Sequence, residues 1–238
     1  MIEVRKKLAV SVIIPAHNEE EHIRTVIVAA KKVKEIDEII VVDDGSTDST
    51  ATVAKTAGAK VVALPTNMGK GSAIRVGSER SKGDVLIFLD ADLTNITPNK
   101  IRKIIEPFSD MYDFVKTKFD RVGGRVTRLT AKPLLGHFFP EIESSFEQPL
   151  SGQFGILKST LRKIHLEEDF GVDVGILIDS VQAGARTKEV YFGRLAHDER
   201  TLLELDATAK QVSRVILDRA AKYNRLEKGI EVIQSQYV

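Results

Sequence analysis

The chain has 238 residues, 42% of them hydrophobic and 29% charged, a balance that suits a globular protein with a sizeable core and excludes a disordered or fibrous chain. Its 35 basic residues against 34 acidic ones leave no global field of the kind that gathers nucleic acid, so no nucleic-acid partner is expected, and the lack of cysteine excludes disulfides and thiolate metal sites. No apolar stretch reaches the length of a membrane span and residues 1–7 lack a signal-peptide pattern, so a cytoplasmic protein with no transmembrane segment is expected.

Strand and helix signals alternate along the first half. Residues 10–14 form a largely β-branched run. A helix is predicted over 19–33, where Ile23, Val26, Ile27, Ala30 and Val33 recur at helical spacing, with Asn18 as its cap and Glu21 at the third position. A strand at 39–42, a helix at 48–57 ended by Gly58, a strand at 60–64, a helix at 70–81 and a strand at 84–89 follow. Continuous apolar strands spaced by helices predict an α/β fold whose mostly parallel sheet is covered on both faces. Further on, 112–117 reads as a strand, 126–135 as a short helix broken by Pro133, and 136–150 as a long irregular stretch. A strand near 152–157, a helix near 172–183 and a strand near 187–191 come next. From 202 onward, Leu205, Val212, Val215, Ile216, Leu226, Ile230 and Ile233 predict long helical structure with one apolar face. That face is expected to pack on the protein's own body, a homodimer contact being the alternative.

Several polar clusters follow the strands, where open α/β sheets bind ligands. Asp90-Ala91-Asp92 ends the run 85–89. Side chains at i and i+2 share a face in extended backbone, so both carboxylates can point one way, and such oxygen donors suit Mg²⁺ or Mn²⁺ held jointly with substrate phosphates. Capping carboxylates at a strand end are the plain alternative. Pro15-Ala16-His17-Asn18-Glu19 offers side chains to a base or ribose, or forms a capped loop. In Asp43-Asp44-Gly45-Ser46-Thr47-Asp48, Gly45 permits a tight turn and Asp48 can cap the next helix, which leaves Asp43 and Asp44 without a structural task. Asn67-Met68-Gly69-Lys70-Gly71 is glycine-rich and opens a helix, as phosphate-binding loops do, although it lacks the full Walker pattern.

Taken together, residues 12–19, 42–48, Asn67-x-Gly69-Lys70-Gly71 and Asp90-Ala91-Asp92 resemble the nucleotide-sugar glycosyltransferases of the family-2-like GT-A type. The resemblance implies a single Rossmann-like domain with a mixed, mostly parallel sheet flanked by helices and a C-terminal helical extension. Residues 1–95 would bind the nucleotide sugar, 96–200 the acceptor, and 201–238 would be the helical segment. By the family pattern Pro15, Ala16 and Glu19 line the nucleoside pocket, Asp44 contacts the base with Ser46 beside it, and Lys70 approaches the nucleotide. Asp90 and Ala91 lie near the sugar, and Asp92 ligates Mg²⁺ or Mn²⁺.

The second half is similar to the glucosyl-3-phosphoglycerate synthases, through Gly124-Arg125-Val126-Thr127, Lys132-Pro133-Leu134-Leu135, Phe139-Pro140-Glu141, residues 148–152 and Phe170-Gly171-Val172-Asp173. That likeness implies that Gly124, Arg125 and Thr127 hold the phosphate or carboxylate of a small acceptor, and that Asp173 faces donor or acceptor. It also makes His197 a metal ligand and UDP-glucose the favoured donor, with retention of configuration. An inverting enzyme would need a base, for which Asp169 or Asp173 would serve. The chain departs from the pattern where Gly152-Gln153-Phe154 stands for Gly-Glu-Tyr, where Leu195 replaces an arginine with Arg194 beside it, and where Glu199 replaces an asparagine. Two other readings stay open. One is a polyprenyl-phosphate sugar transferase, with Leu134, Leu135, Phe138 and Phe139 meeting lipid; the other is a nucleotide-sugar-binding protein without activity.

Overall fold

The computed structural model describes residues 8–120, 124–195 and 202–235. In chain order its elements are β1 (Val10–Ala16), α1 (Ile23–Lys31), β2 (Glu38–Asp43), α2 (Thr50–Thr56), β3 (Lys60–Ala63), α3 (Lys70–Arg80), β4 (Val85–Phe88) and α4 (Pro98–Ile105). A 3₁₀ turn (Glu106–Asp110), β5 (Phe114–Lys118), a π-helical turn (Thr127–Ala131), α5 (Lys132–Phe138), α6 (Pro140–Ser145), β6 (Phe154–Leu157) and α7 (Lys158–Leu161) follow. α8 (Val172–Gln182), β7 (Thr187–Tyr191), α9 (Leu202–Lys222) and α10 (Leu226–Ser235) complete it.

The seven strands form one sheet in the order β3-β2-β1-β4-β6-β5-β7. β6 runs against both neighbours and the remaining pairs are parallel. The expected mixed, mostly parallel sheet is therefore present. Alternation along β1 sorts the core into two layers: Ile13 packs with α3, α5, α8 and α9, whereas Val12 and Ile14 pack with α1, α2 and α4. Because β6 is reversed, its N-terminal end lies beside the C-terminal end of β4, with Phe88 opposite Phe154. Residues 151–153 thus join the sheet edge that carries Asp90 and Asp92.

Some local expectations fail for identifiable reasons. The first helix begins at Ile23, not 19, and Asn18 does not cap it. The amides of Asn18, Glu19 and Glu20 are bonded instead by Ser46 Oγ, Thr50 Oγ1 and Asp48 Oδ2, so the second loop takes up donors that would head a helix. Asn18, at φ +56°, accepts from the Thr47 amide. Pro133 does not break its helix. The chain passes through a π turn and re-enters α-helix with Pro133 in the first turn, where a proline's missing N–H is harmless.

The stretch 136–150 is ordered rather than irregular, because Phe138, Phe139, Ile142 and Phe146 are buried. This also removes the lipid-facing role: Leu135 and Phe139 are fully buried in the core, and Leu134 packs partly buried against it. α4, headed by Thr97 accepting from the Lys100 amide and by Pro98, was not predicted. The C-terminal face packs on the body through Val212, Val215 and Ile216, although Ile230 points to solvent. No helix among the described residues is long and apolar enough to cross a membrane.

Candidate active site

Two clefts meet at the C-terminal edge of the sheet. One, of about 440 Å³, is lined by Pro15, Ala16, His17, Glu19, Asp44, Asn67, Gly69, Lys70, Asp90, Ala91 and Asp92. The other, of about 250 Å³, is lined by Gly124, Arg125, Thr127, Gln148, residues 150–153, Asp173 and Leu195. Lys70, Asp90 and Asp92 border both. Of the candidate site residues it describes, the structure gathers all but two, Asp169 and Ser46, the latter with its hydroxyl turned to the Asn18 amide. His197 and Glu199 lie outside the described residues. Asp169 lies apart from both clefts: its carboxylate accepts from Arg214 at 3.0 Å and borders a larger cavity of about 900 Å³. The Arg75–Glu79 and Arg214–Glu167 ion pairs there already satisfy one another.

The glycine-rich loop is not a phosphate cradle. The Asp44 carboxylate takes the amides of Met68 and Gly69 at 2.8 and 2.9 Å, and the Glu168 carbonyl takes those of Gly71 and Ser72 at 2.8 and 3.2 Å. Asp43 Oδ1 likewise accepts from the Ser46 amide, so both aspartates do have structural tasks. The loop's work is to deliver Lys70. This close approach needs glycine at 71, since a Cβ there would stand 1.7 Å from the Glu167 carbonyl oxygen. Gly71→Ala is expected to lower unfolding free energy by about 2 kcal/mol in urea denaturation, as overpacking against backbone does.

Lys70 Nζ bridges two carboxylates, donating to Asp90 Oδ1 at 2.9 Å and Asp173 Oδ2 at 2.7 Å. Burial disfavours its charge, but Asp173 and then Asp90 outweigh that and hold the amine above the ordinary lysine range. Asp90 Oδ2 accepts from Gln153 Nε2 at 2.5 Å, while Gln153 Oε1 accepts from Ser151 Oγ at 3.2 Å, which fixes the sense of the amide. Ser151 in turn meets Thr117 Oγ1 at 2.6 Å. Gly152 has to be small, because a Cβ would lie 2.2 Å from Asp90 Oδ2.

Among the described residues no group of three His, Cys, Asp or Glu side chains gathers to hold an ion. Asp92, placed where the clefts join, still fits the habit of Mg²⁺ and Mn²⁺, which bind through one or two carboxylates and complete their shell with substrate phosphates. Sequence reasoning missed Thr208 and Gln211 and gave Phe170 of the Phe170-Gly171-Val172-Asp173 motif no role, though all three line the first cleft from α9 and the loop before α8. Thr208 and Gln211 are one turn apart on a helix legible only by its apolar face, so no motif announced them.

The sequence model of glycosyl transferase family 2 matches residues 11–167. The chain is a family 2 glycosyltransferase. Among curated relatives of this glycosyltransferase is the glucosyl-3-phosphoglycerate synthase of Mycolicibacterium smegmatis, 34% identical over 234 residues that span 88% of this chain and 77% of the relative. The synthase of Petrotoga mobilis is 30% identical over 258 residues, spanning 97% and 79%. The crystal structure of the Mycobacterium tuberculosis synthase with Mn²⁺, UDP-glucose and phosphoglyceric acid superposes with a TM-score of 0.85 at 34% identity, covering 90% of this chain and 80% of that one. The resemblance and the GT-A fold read from the sequence therefore hold for the glycosyltransferase as a whole.

Proposed function

We propose that this glycosyltransferase moves a glucosyl unit from UDP-glucose to a small anionic acceptor such as 3-phosphoglycerate, with retention of configuration. The observation that carries the reading is the junction of two clefts at Lys70, Asp90 and Asp92, one with the nucleoside-side residues and the other with Gly124, Arg125 and Thr127. In the first cleft Pro15, Ala16, Glu19 and Asp44 would frame the nucleoside. In the second, the Arg125 guanidinium suits a phosphate or carboxylate by its planar fork. Asp92 and His197 would hold Mg²⁺ or Mn²⁺, which supplies positive charge to the departing diphosphate. Asp173 Oδ1, buried and without a hydrogen-bond partner, is available to a hydroxyl of either substrate. The relatives support the donor and acceptor, since the superposed synthase was crystallised with UDP-glucose and phosphoglyceric acid.

A donor-by-acceptor screen tests this, comparing UDP-glucose with GDP-mannose and 3-phosphoglycerate with a polyprenyl phosphate, each with and without Mn²⁺. Transfer from UDP-glucose to 3-phosphoglycerate, with an unchanged anomer by NMR, is the expected result. Transfer confined to the polyprenyl phosphate would refute the acceptor, and an inverted product would refute retention. Arg125→Ala is expected to raise the acceptor KM by about tenfold to a hundredfold, the worth of one charged hydrogen-bonding contact, with donor KM unchanged in initial-rate kinetics.

A further inference from the structure

Beneath the second cleft lies a cation with no part in the reading above. Lys116 is in β5, on the same face as Phe114, and its side chain is fully buried. Nζ donates to the main-chain carbonyl of Asp173 at 3.0 Å, in the first turn of α8. The rings of Phe154 and Phe114 stand around it, with centroids 5.2 and 5.8 Å away. The charged groups that face it are Asp173 on α8, Lys70 on α3, Asp90 after β4 and Glu189 on β7. A buried ammonium with a carbonyl for its partner is costly to the fold, which calls for an explanation beyond packing.

We propose that Lys116 is a positioning residue for glycosyl transfer, pinning the first turn of α8 and balancing the charge of Asp90 and Asp173 under the acceptor cleft. The pinned turn carries Asp173, whose Oδ1 is the buried oxygen left without a partner. With Lys70 and Lys116 both protonated, two cations stand against the carboxylates of Asp90, Asp173 and Glu189. Loss of the Lys116 proton doubles the net negative charge beneath a site whose proposed ligands are both anions, and low dielectric sharpens that repulsion. The switch falls in a usable range: burial, opposed by Asp173 and reinforced by Lys70, brings the amine down to about 8. The inference rests on the glycosyl-transfer reading for its consequence but not for its titration.

The test follows kcat/KM against pH for the wild type, K116R and K116M with UDP-glucose, 3-phosphoglycerate and Mn²⁺. The wild type is expected to decline above about pH 8, and K116R to extend its plateau because a guanidinium keeps its proton. K116M is expected to lose on the order of tenfold at pH 7, the equivalent of one unit of charge coupling, and to show no limb near pH 8. A K116R profile with the wild-type limb, or K116M within twofold of wild type, would overturn the proposal. Lysine side-chain NMR of the unliganded wild-type protein gives a readout independent of transfer and of how the variants fold. A Lys116 resonance titrating near pH 8 supports the proposal, and one titrating only above pH 10 sinks it. If the wild type transfers no glucose, the functional reading falls while the NMR titration still decides the state of Lys116.

Discussion

Replacing Lys70 with methionine is expected to cost the fold about 3 kcal/mol and to abolish transfer. The ammonium neutralises Asp90 and Asp173 together, and its side chain is only 12% exposed. Removing one partner from a buried ion pair leaves a charge without compensation, for which about 3–5 kcal/mol is typical. The lower figure applies because Asp90, at 31% exposed, keeps some solvent. Denaturant unfolding of K70M beside wild type checks the magnitude, and an unchanged midpoint would show that the bridge contributes nothing. The pH dependence has a definite sign. The folded-state amine is held above its ordinary value of 10.5, so its stabilisation is complete below that pH and is lost only as the pH rises beyond it. Wild-type stability from this group is therefore flat through neutrality and falls in strong alkali, a fall that K70M does not share.

Asp92→Ala is expected to reduce transfer by about 10²–10³, the range for removing one preorganised electrostatic contact to developing charge. Its destabilisation is small by comparison, since Asp92 borders open clefts rather than the core. Mn²⁺ titration by calorimetry in the presence of UDP separates the two effects: the variant should fold normally and bind the ion weakly. Transfer at wild-type rates would remove Asp92 from the metal role altogether.

The sheet was legible because its strands are continuous apolar runs punctuated by glycine and polar clusters, a pattern that tertiary packing reinforces. Asp90-Ala91-Asp92 pointed to the site for the same reason, since its spacing puts both carboxylates on one edge. Sequence spacing was silent on what comes from afar. Nothing in Gln153 foretells a bond to Asp90 at 63 residues' distance, because the contact exists only once β6 runs backwards beside β4. The reading of the glycine-rich loop failed because competing hydrogen-bond partners, Asp44 and the Glu168 carbonyl, are invisible to a local motif. Lys116 escaped notice since a lysine in a strand usually faces solvent, and only the layer of α8 above β5 makes it a core residue.

The π turn between Thr127 and Ala131 has a bearing on how this scaffold changes partners. A regular α-helix would set the Pro133 ring against the carbonyl of Leu129, whereas here the turn has a five-residue reach, the Lys132 amide donating to the Thr127 carbonyl. Pro133 therefore acts as a spacer, fixing the helical phase of Arg125 and Thr127 from outside the cleft they border. Each residue of phase turns a helical side chain by about 100°. One deletion in this short segment would re-aim Arg125 and Thr127, which line the second cleft, without touching the strands behind the first. The register of one turn, rather than the identity of the cleft's side chains alone, thus sets what that cleft presents.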